Sequence, residues 1–120
     1  MRHEKLPASS LSSVDDIIRN MRIIGIDPGT GILGFGVIDY KKGKFIMVDA
    51  GVIRTPAHTP LSERLEDIFN SLTELIDQTK PDVMSIEKLF FARNVTTAIS
   101  VSHARGVAML TGQKAGLEIA

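Results

Sequence analysis

The chain has 120 residues, 14 basic and 14 acidic, with 43% hydrophobic residues, 5% aromatic residues and no cysteine. That is enough for one hydrophobic core and too little for two, too apolar for a disordered polyampholyte, and without an apolar run near the ~18 residues of a membrane span. The absent cysteines exclude a disulfide framework and a thiolate metal site and agree with a cytoplasmic location, and a net charge of zero means that any nucleic-acid surface must be local.

Residues 1–20 stand apart. They are polar, with Pro7, Ala8, Ser9, Ser10, Ser12 and Ser13 in close succession, and lack the apolar stretch of a secretory signal. Ser13 with Asp16 marks a short helix start, and Val14, Ile17 and Ile18 form one apolar stripe. Two turns of helix are marginal alone, so this segment reads as a flexible polar extension, with Met21 as a second candidate start.

Ile23, Ile24 and Ile26 predict a buried central strand closed by the turn Asp27-Pro28-Gly29. Residues 36–40 predict a second strand, Lys41-Lys42-Gly43-Lys44 a hairpin turn, and residues 45–53 a third strand. Two short connections in a row imply an antiparallel meander. Thr59 as N-cap and Pro60 at the first position open a helix. Its apolar face is Leu65, Ile68, Phe69, Leu72, Leu75 and Ile76, and Lys80-Pro81-Asp82 stops it. Val83, Met84 and Ile86 predict a buried fourth strand, followed by a loop over residues 88–94. Thr96 or Thr97 caps a second helix that runs to about Lys114, with Gly116 as its stop. Residues 117–120 begin a fifth strand. The order β-β-β-α-β-α-β predicts an α/β fold, a mixed sheet flanked by helices.

Charge is segregated along the chain. Residues 59–87 hold seven acids and two bases; residues 88–117 hold no acid, against Lys88, Arg93, Arg105 and Lys114. Such a change of sign suggests one face that meets a polyanion, although two solvated helices would give the same pattern.

Asp27 and Glu87 each close an apolar strand. If strands one and four are parallel neighbours, both carboxylates lie at the carboxyl end of the sheet, where open α/β sheets bind ligands. Two such acids favour a hard divalent cation, and that pairing suits phosphoryl chemistry. Each residue alone has a plainer reading, Asp27 as turn chemistry and Glu87 as the first solvated residue after a strand. Gly29, Gly31, Gly34 and Gly36 let a backbone pass close to something large. Because they join two strands, they fit neither the Walker loop nor the dinucleotide fingerprint, both of which open a helix.

The segment Lys88-Leu89-Phe90-Phe91-Ala92-Arg93-Asn94 sets aromatics beside a cation and an amide. That combination stacks on bases while the cation holds phosphate; alternatively the rings cap the core, one inward and one outward. Ala98, Ser100, Ser102, Ala104, Gly106 and Ala108 give the second helix a small-residue character suited to close packing, on its own sheet by default. His103 has no partner at metal spacing and reads as surface or interface.

These residues together resemble a known family. Gly25-Ile26-Asp27-Pro28-Gly29-Thr30, Gly34-Phe35-Gly36-Val37-Ile38, the run from Ile86 through Glu87 to Asn94, and Ala104-Arg105-Gly106-Val107-Ala108 are similar to the Holliday-junction resolvases of the RuvC family. The likeness covers residues 21–120 in order. It implies an RNase H-like fold and a homodimer that cuts four-way DNA junctions with Mg²⁺ or Mn²⁺, in recombination and repair and beside a branch-migration helicase. It implies Asp27 and Glu87 as two of four catalytic, metal-binding acidic positions. It further implies DNA contact by Thr30, Lys88, Phe90, Phe91, Arg93, Asn94 and Arg105, and a part for the small-residue helix in the dimer.

Members of that family continue past a fifth strand to a helix with the remaining metal-site residues. The expectation is therefore a C-terminally incomplete domain over residues 21–120, a weakened metal site and no efficient cleavage. Two other readings stay open: a junction-binding protein without catalysis, and a fragment of an actin-like ATP-binding protein, whose phosphate turn is similar.

Overall fold

The computed structural model describes residues 20–88 and 95–120, without the side chains of residues 95–97. Apart from Asn20, the expected extension over residues 1–20 lies outside the described residues, as do residues 89–94 of the loop. The elements are β1 (Met21–Asp27), β2 (Ile32–Lys41), β3 (Lys44–Arg54), α1 (Leu61–Thr79), β4 (Val83–Ile86), α2 (Val95–Lys114) and β5 (Glu118–Ile119). They form one sheet in the order β3-β2-β1-β4-β5. The pairs β1–β2 and β2–β3 are antiparallel, and β1–β4 and β4–β5 are parallel. The expected meander followed by helix–strand units is thus what the chain forms. β2 begins at Ile32, earlier than the expected residue 36, because Gly34 is paired with Asp27 on one side and Val52 on the other.

Strand alternation separates two faces of the sheet. On one, Ile24, Ile26, Leu33, Val37, Met84 and Ile86 are buried against Ile68, Leu72 and Ile76 of α1 and Ala104 and Ala108 of α2. The apolar face predicted for α1 is the face it buries. α2 approaches more closely: a Cβ at Gly112 would lie 2.9 Å from Met84 Sδ and 2.8 Å from Ile119 Cδ1. Ala104, Ala108 and Gly112 recur every four residues on one face, so these small residues serve packing on the sheet.

The helix ends follow local hydrogen bonding. α2 ends as expected at Gly116 (φ 82°), where Leu117 N–H donates to Gly112 O and Gly116 N–H to Gln113 O, the Schellman arrangement. The starts differ from expectation. Pro60 is itself the N-cap of α1, its carbonyl accepting from Arg64 N–H, while the Thr59 hydroxyl donates to Pro56 O. α2 begins at Val95, so Thr96 and Thr97 both lie within its first turn and neither caps it.

One charged cluster fastens the end of the sheet opposite Asp27. Arg22 Nε and Nη2 donate to Asp39 Oδ1 and Oδ2 at 2.7 and 2.9 Å, and Nη1 donates to the Thr79 carbonyl at 2.7 Å. The Arg22 amide donates to Asp82 Oδ2, and the Asp82 amide donates back to Arg22 O. The clamp joins β1, β2, the end of α1 and the entry to β4. The two-pronged hydrogen bond from Arg22, followed by the charges of Arg22 and Lys41, holds the Asp39 carboxyl below its usual pKa, against the opposing effect of burial.

Asp39→Asn should therefore lower stability near neutral pH by about 2 kcal/mol, the order of a charge-assisted pair with one partly exposed member. A depressed carboxyl pKa contributes stability above its unfolded pKa and loses it as pH falls through the folded value. Urea melts should show the gap between the two proteins closing in strong acid; a gap independent of pH would contradict the clamp.

Candidate metal and nucleic-acid site

The parallel pairing of β1 with β4 places the two candidate carboxylates. Its register runs from Ile23 opposite Val83 to Ile26 opposite Ile86, and Glu87 N–H then donates to Ile26 O at 3.1 Å. Glu87 is thereby fixed beside Asp27. Both side chains emerge on the sheet face away from the helices, and both are exposed.

Glu87 also senses its neighbour. The Glu87 carboxyl is pushed above its ordinary pKa, first by its hydrogen bond with Asp27, then by the Asp27 charge, with a smaller contribution from desolvation. Two carboxylates side by side at the mouth of a groove are an anionic, all-oxygen donor set that fits a hard divalent cation. Among the described residues no cluster of three or more histidines and carboxylates is present, so the site has two such groups.

The groove runs from this pair across the bare face of the sheet. Gly25, Gly34, Gly36, Ala50 and Ser85 line it with small side chains or none. A Cβ at Gly36 would meet nothing within 4 Å, and one at Gly34 would sit 3.5 Å from Asp27 Cβ. The four glycines noted in the sequence therefore have separate tasks. Gly34 and Gly36 keep the groove open. Gly29 closes the turn, since a Cβ there would collide with Ile32 O, and Gly31 leaves room for Arg64, whose Nη2 lies 3.0 Å from the place of a Cβ.

Cations stand nearby. Arg105 is half-buried, with Nε donating weakly to the Glu87 carbonyl at 3.4 Å and Nη1 3.2 Å from Met109 Sδ. Lys88 is exposed next to Glu87. The Thr30 hydroxyl, expected to face DNA, is hydrogen-bonded to Ser100 Oγ at 2.6 Å. Phe90, Phe91, Arg93 and Asn94 lie outside the described residues. Three residues that the sequence reading did not single out join this end of the sheet, Thr55, Arg64 and Ser85. Arg64 entered that reading only as one of the two bases counted in residues 59–87.

A family model described as crossover junction endodeoxyribonuclease RuvC matches residues 23–120. The RuvC of Chloroflexus aurantiacus is 42% identical over 99 residues, which are 82% of this chain and 60% of the relative. That of Fusobacterium nucleatum is 47% identical over 94 residues, 78% of this chain and 50% of the relative. The chain thus spans between half and three fifths of the length of the curated relatives it matches. Among solved structures, Thermus thermophilus RuvC in complex with a Holliday junction substrate superposes with a TM-score of 0.76 at 29% identity, over 82% of this chain and 62% of that one. A second Thermus thermophilus RuvC structure gives 0.73 at 30% identity, over 82% and 61%. The mixed sheet with its helices is the RNase H-like fold of these neighbours.

The carboxylate pair yields a test without any substrate. A group whose pKa is raised in the fold stabilises it when protonated and ceases to do so as pH rises through the folded value. Without divalent cation at neutral pH, Glu87→Gln should melt no lower than the unaltered chain, and any gap should vanish in acid. Added Mg²⁺ should raise the melting temperature of the unaltered chain more than that of the variant. Equal rises in both would contradict cation binding at this pair.

Proposed function

The chain belongs to the crossover junction endodeoxyribonuclease RuvC family, and from that premise we propose that it is part of a structure-selective endonuclease acting on four-way DNA junctions. The observation that carries the reading is the juxtaposition of Asp27 and Glu87 at the open mouth of a groove with a floor of small residues. Asp27 and Glu87 would hold the divalent ion, Mg²⁺ or Mn²⁺. When bound, such an ion neutralises phosphate charge and activates water for in-line hydrolysis of a phosphodiester.

The chain's own residues supply the rest. The open floor admits a nucleic-acid backbone without steric conflict at Gly36. Lys88 and Arg105 place positive charge beside the carboxylates, where phosphates would otherwise be repelled. Thr30, with its hydroxyl turned to Ser100, would act on DNA by shaping the turn. Phe90, Phe91, Arg93 and Asn94, in the segment between Lys88 and α2, would contact the junction.

The finer parts of the proposal are a homodimer and a cytoplasmic enzyme working with a branch-migration helicase. The outward side of α2, with Ile99, Met109 and Leu110 exposed beside the open surface of Gly106, supports a dimer contact there. Among the described residues no helix is long and apolar enough to cross a membrane. With only two carboxylates in the described site, cation binding should be weak and cutting slow.

A gel shift of the chain with a synthetic four-way junction and with linear duplex of equal length, at one fixed salt concentration, tests the proposal. The junction should be preferred by about tenfold or more in Mg²⁺, and Arg105→Ala should weaken the complex. Equal affinity for both DNAs, from a chain shown by circular dichroism to be folded, would contradict it.

A further inference from the structure

Four polar side chains at the Asp27 end of the sheet form one connected path. Arg64, in the first turn of α1, donates from Nε to Thr55 Oγ1 at 3.0 Å. The Thr55 hydroxyl donates in turn to the Thr30 carbonyl, and the Thr55 amide donates to Gly31 O at 3.1 Å. The Thr30 hydroxyl meets Ser100 Oγ at 2.6 Å. The path therefore begins on α1, crosses the end of β3 at Thr55, passes through the turn that follows Asp27, and ends on α2.

Its members are placed for a shared task. Thr55 is buried and Arg64 and Thr30 are half-buried, so these bonds are shielded from the competition with water that makes exposed ones weak. Arg64 lies against Gly31, where a Cβ would crowd Nη2. Among the described residues no carboxylate forms an ion pair with Arg64. Its guanidinium is hydrogen-bonded to a hydroxyl and lies against Gly31 in place of an acid. The held segment, Pro28 to Gly31, leads directly from Asp27 and lacks ladder pairing of its own. Without the path, Asp27 would be fixed only from its strand side.

We infer that Arg64 is a positioning residue for the carboxylate pair: acting through Thr55, it fixes the turn after Asp27, and through Thr30 and Ser100 it sets that turn against α2. The inference rests on the proposed metal site and names what holds one half of it. Arg64 itself touches neither the cation nor the reacting phosphate. Groups that orient metal ligands from behind commonly change affinity by an order of magnitude without contacting the ion.

The test uses the 120-residue chain and Mn²⁺ alone, with bound ion measured from loss of the free Mn²⁺ paramagnetic resonance signal. Arg64→Gln and Thr55→Val should each weaken Mn²⁺ binding by about threefold to tenfold, while Thr55→Ser, which keeps the hydroxyl, should restore it. The double variant should bind no worse than Thr55→Val alone, because both act along one path. In Arg64→Gln the Thr55 amide should exchange with solvent about threefold faster or more. Variants that bind Mn²⁺ as tightly as the unaltered chain, or Thr55→Ser behaving like Thr55→Val, would overturn the inference. Faster exchange with unchanged affinity would also overturn it, by leaving Arg64 a purely structural role. An unaltered chain that binds no Mn²⁺ would instead overturn the two-carboxylate site itself.

Discussion

The parallel ladder between β1 and β4 is the constraint on which the rest depends. At one end the Asp82 amide donates to Arg22 O, and at the other the Glu87 amide donates to Ile26 O. Between these bonds the register leaves no freedom to slip, because a shift by one residue would turn Met84 and Ile86 out of the core and Ser85 into it. The same register sets Glu87 beside Asp27. Core packing and placement of the site are one requirement: what buries Ile24, Ile26, Met84 and Ile86 on one face brings two acids together at the edge of the other.

That arrangement is electrostatically incomplete. Asp27 raises the pKa of Glu87, so the fold carries a repulsion that a proton or a cation relieves. The opposite end of the sheet resolves its charge internally. Asp39 there keeps a side-chain exposure of 11% and is neutralised by the forked Arg22, whose own side chain is 32% exposed. One end is a finished structural clamp, and the other is open, with small residues leading away from it. That contrast is the physical ground on which the open end is proposed as the functional one.

Much of this was legible in the sequence. Compact apolar runs identified β1 and β4, and the spacing of Ile68, Leu72 and Ile76 identified the buried side of α1. The Asp27–Glu87 pairing followed once β1 and β4 were taken as parallel neighbours. What stayed hidden depends on which partner each polar side chain finds, whether near in the chain or far from it. The Thr59 hydroxyl had a backbone partner at Pro56, which propensity does not reveal. Thr30 looked available to DNA, but its partner Ser100 lies 70 residues away. Arg64 and Thr55 had no local signature at all, because their meaning arises only where α1, β3 and the turn after Asp27 converge.

The central claim is that Asp27 and Glu87 act as one cation-seeking unit. The most direct measurement is a carbon-detected nuclear magnetic resonance titration of the two side-chain carboxyls against pH, without and with Mg²⁺. The account predicts that Glu87 titrates above the ordinary glutamate range without cation and that Mg²⁺ moves the Glu87 titration downward. A Glu87 carboxyl at its ordinary value, unmoved by Mg²⁺, would contradict it.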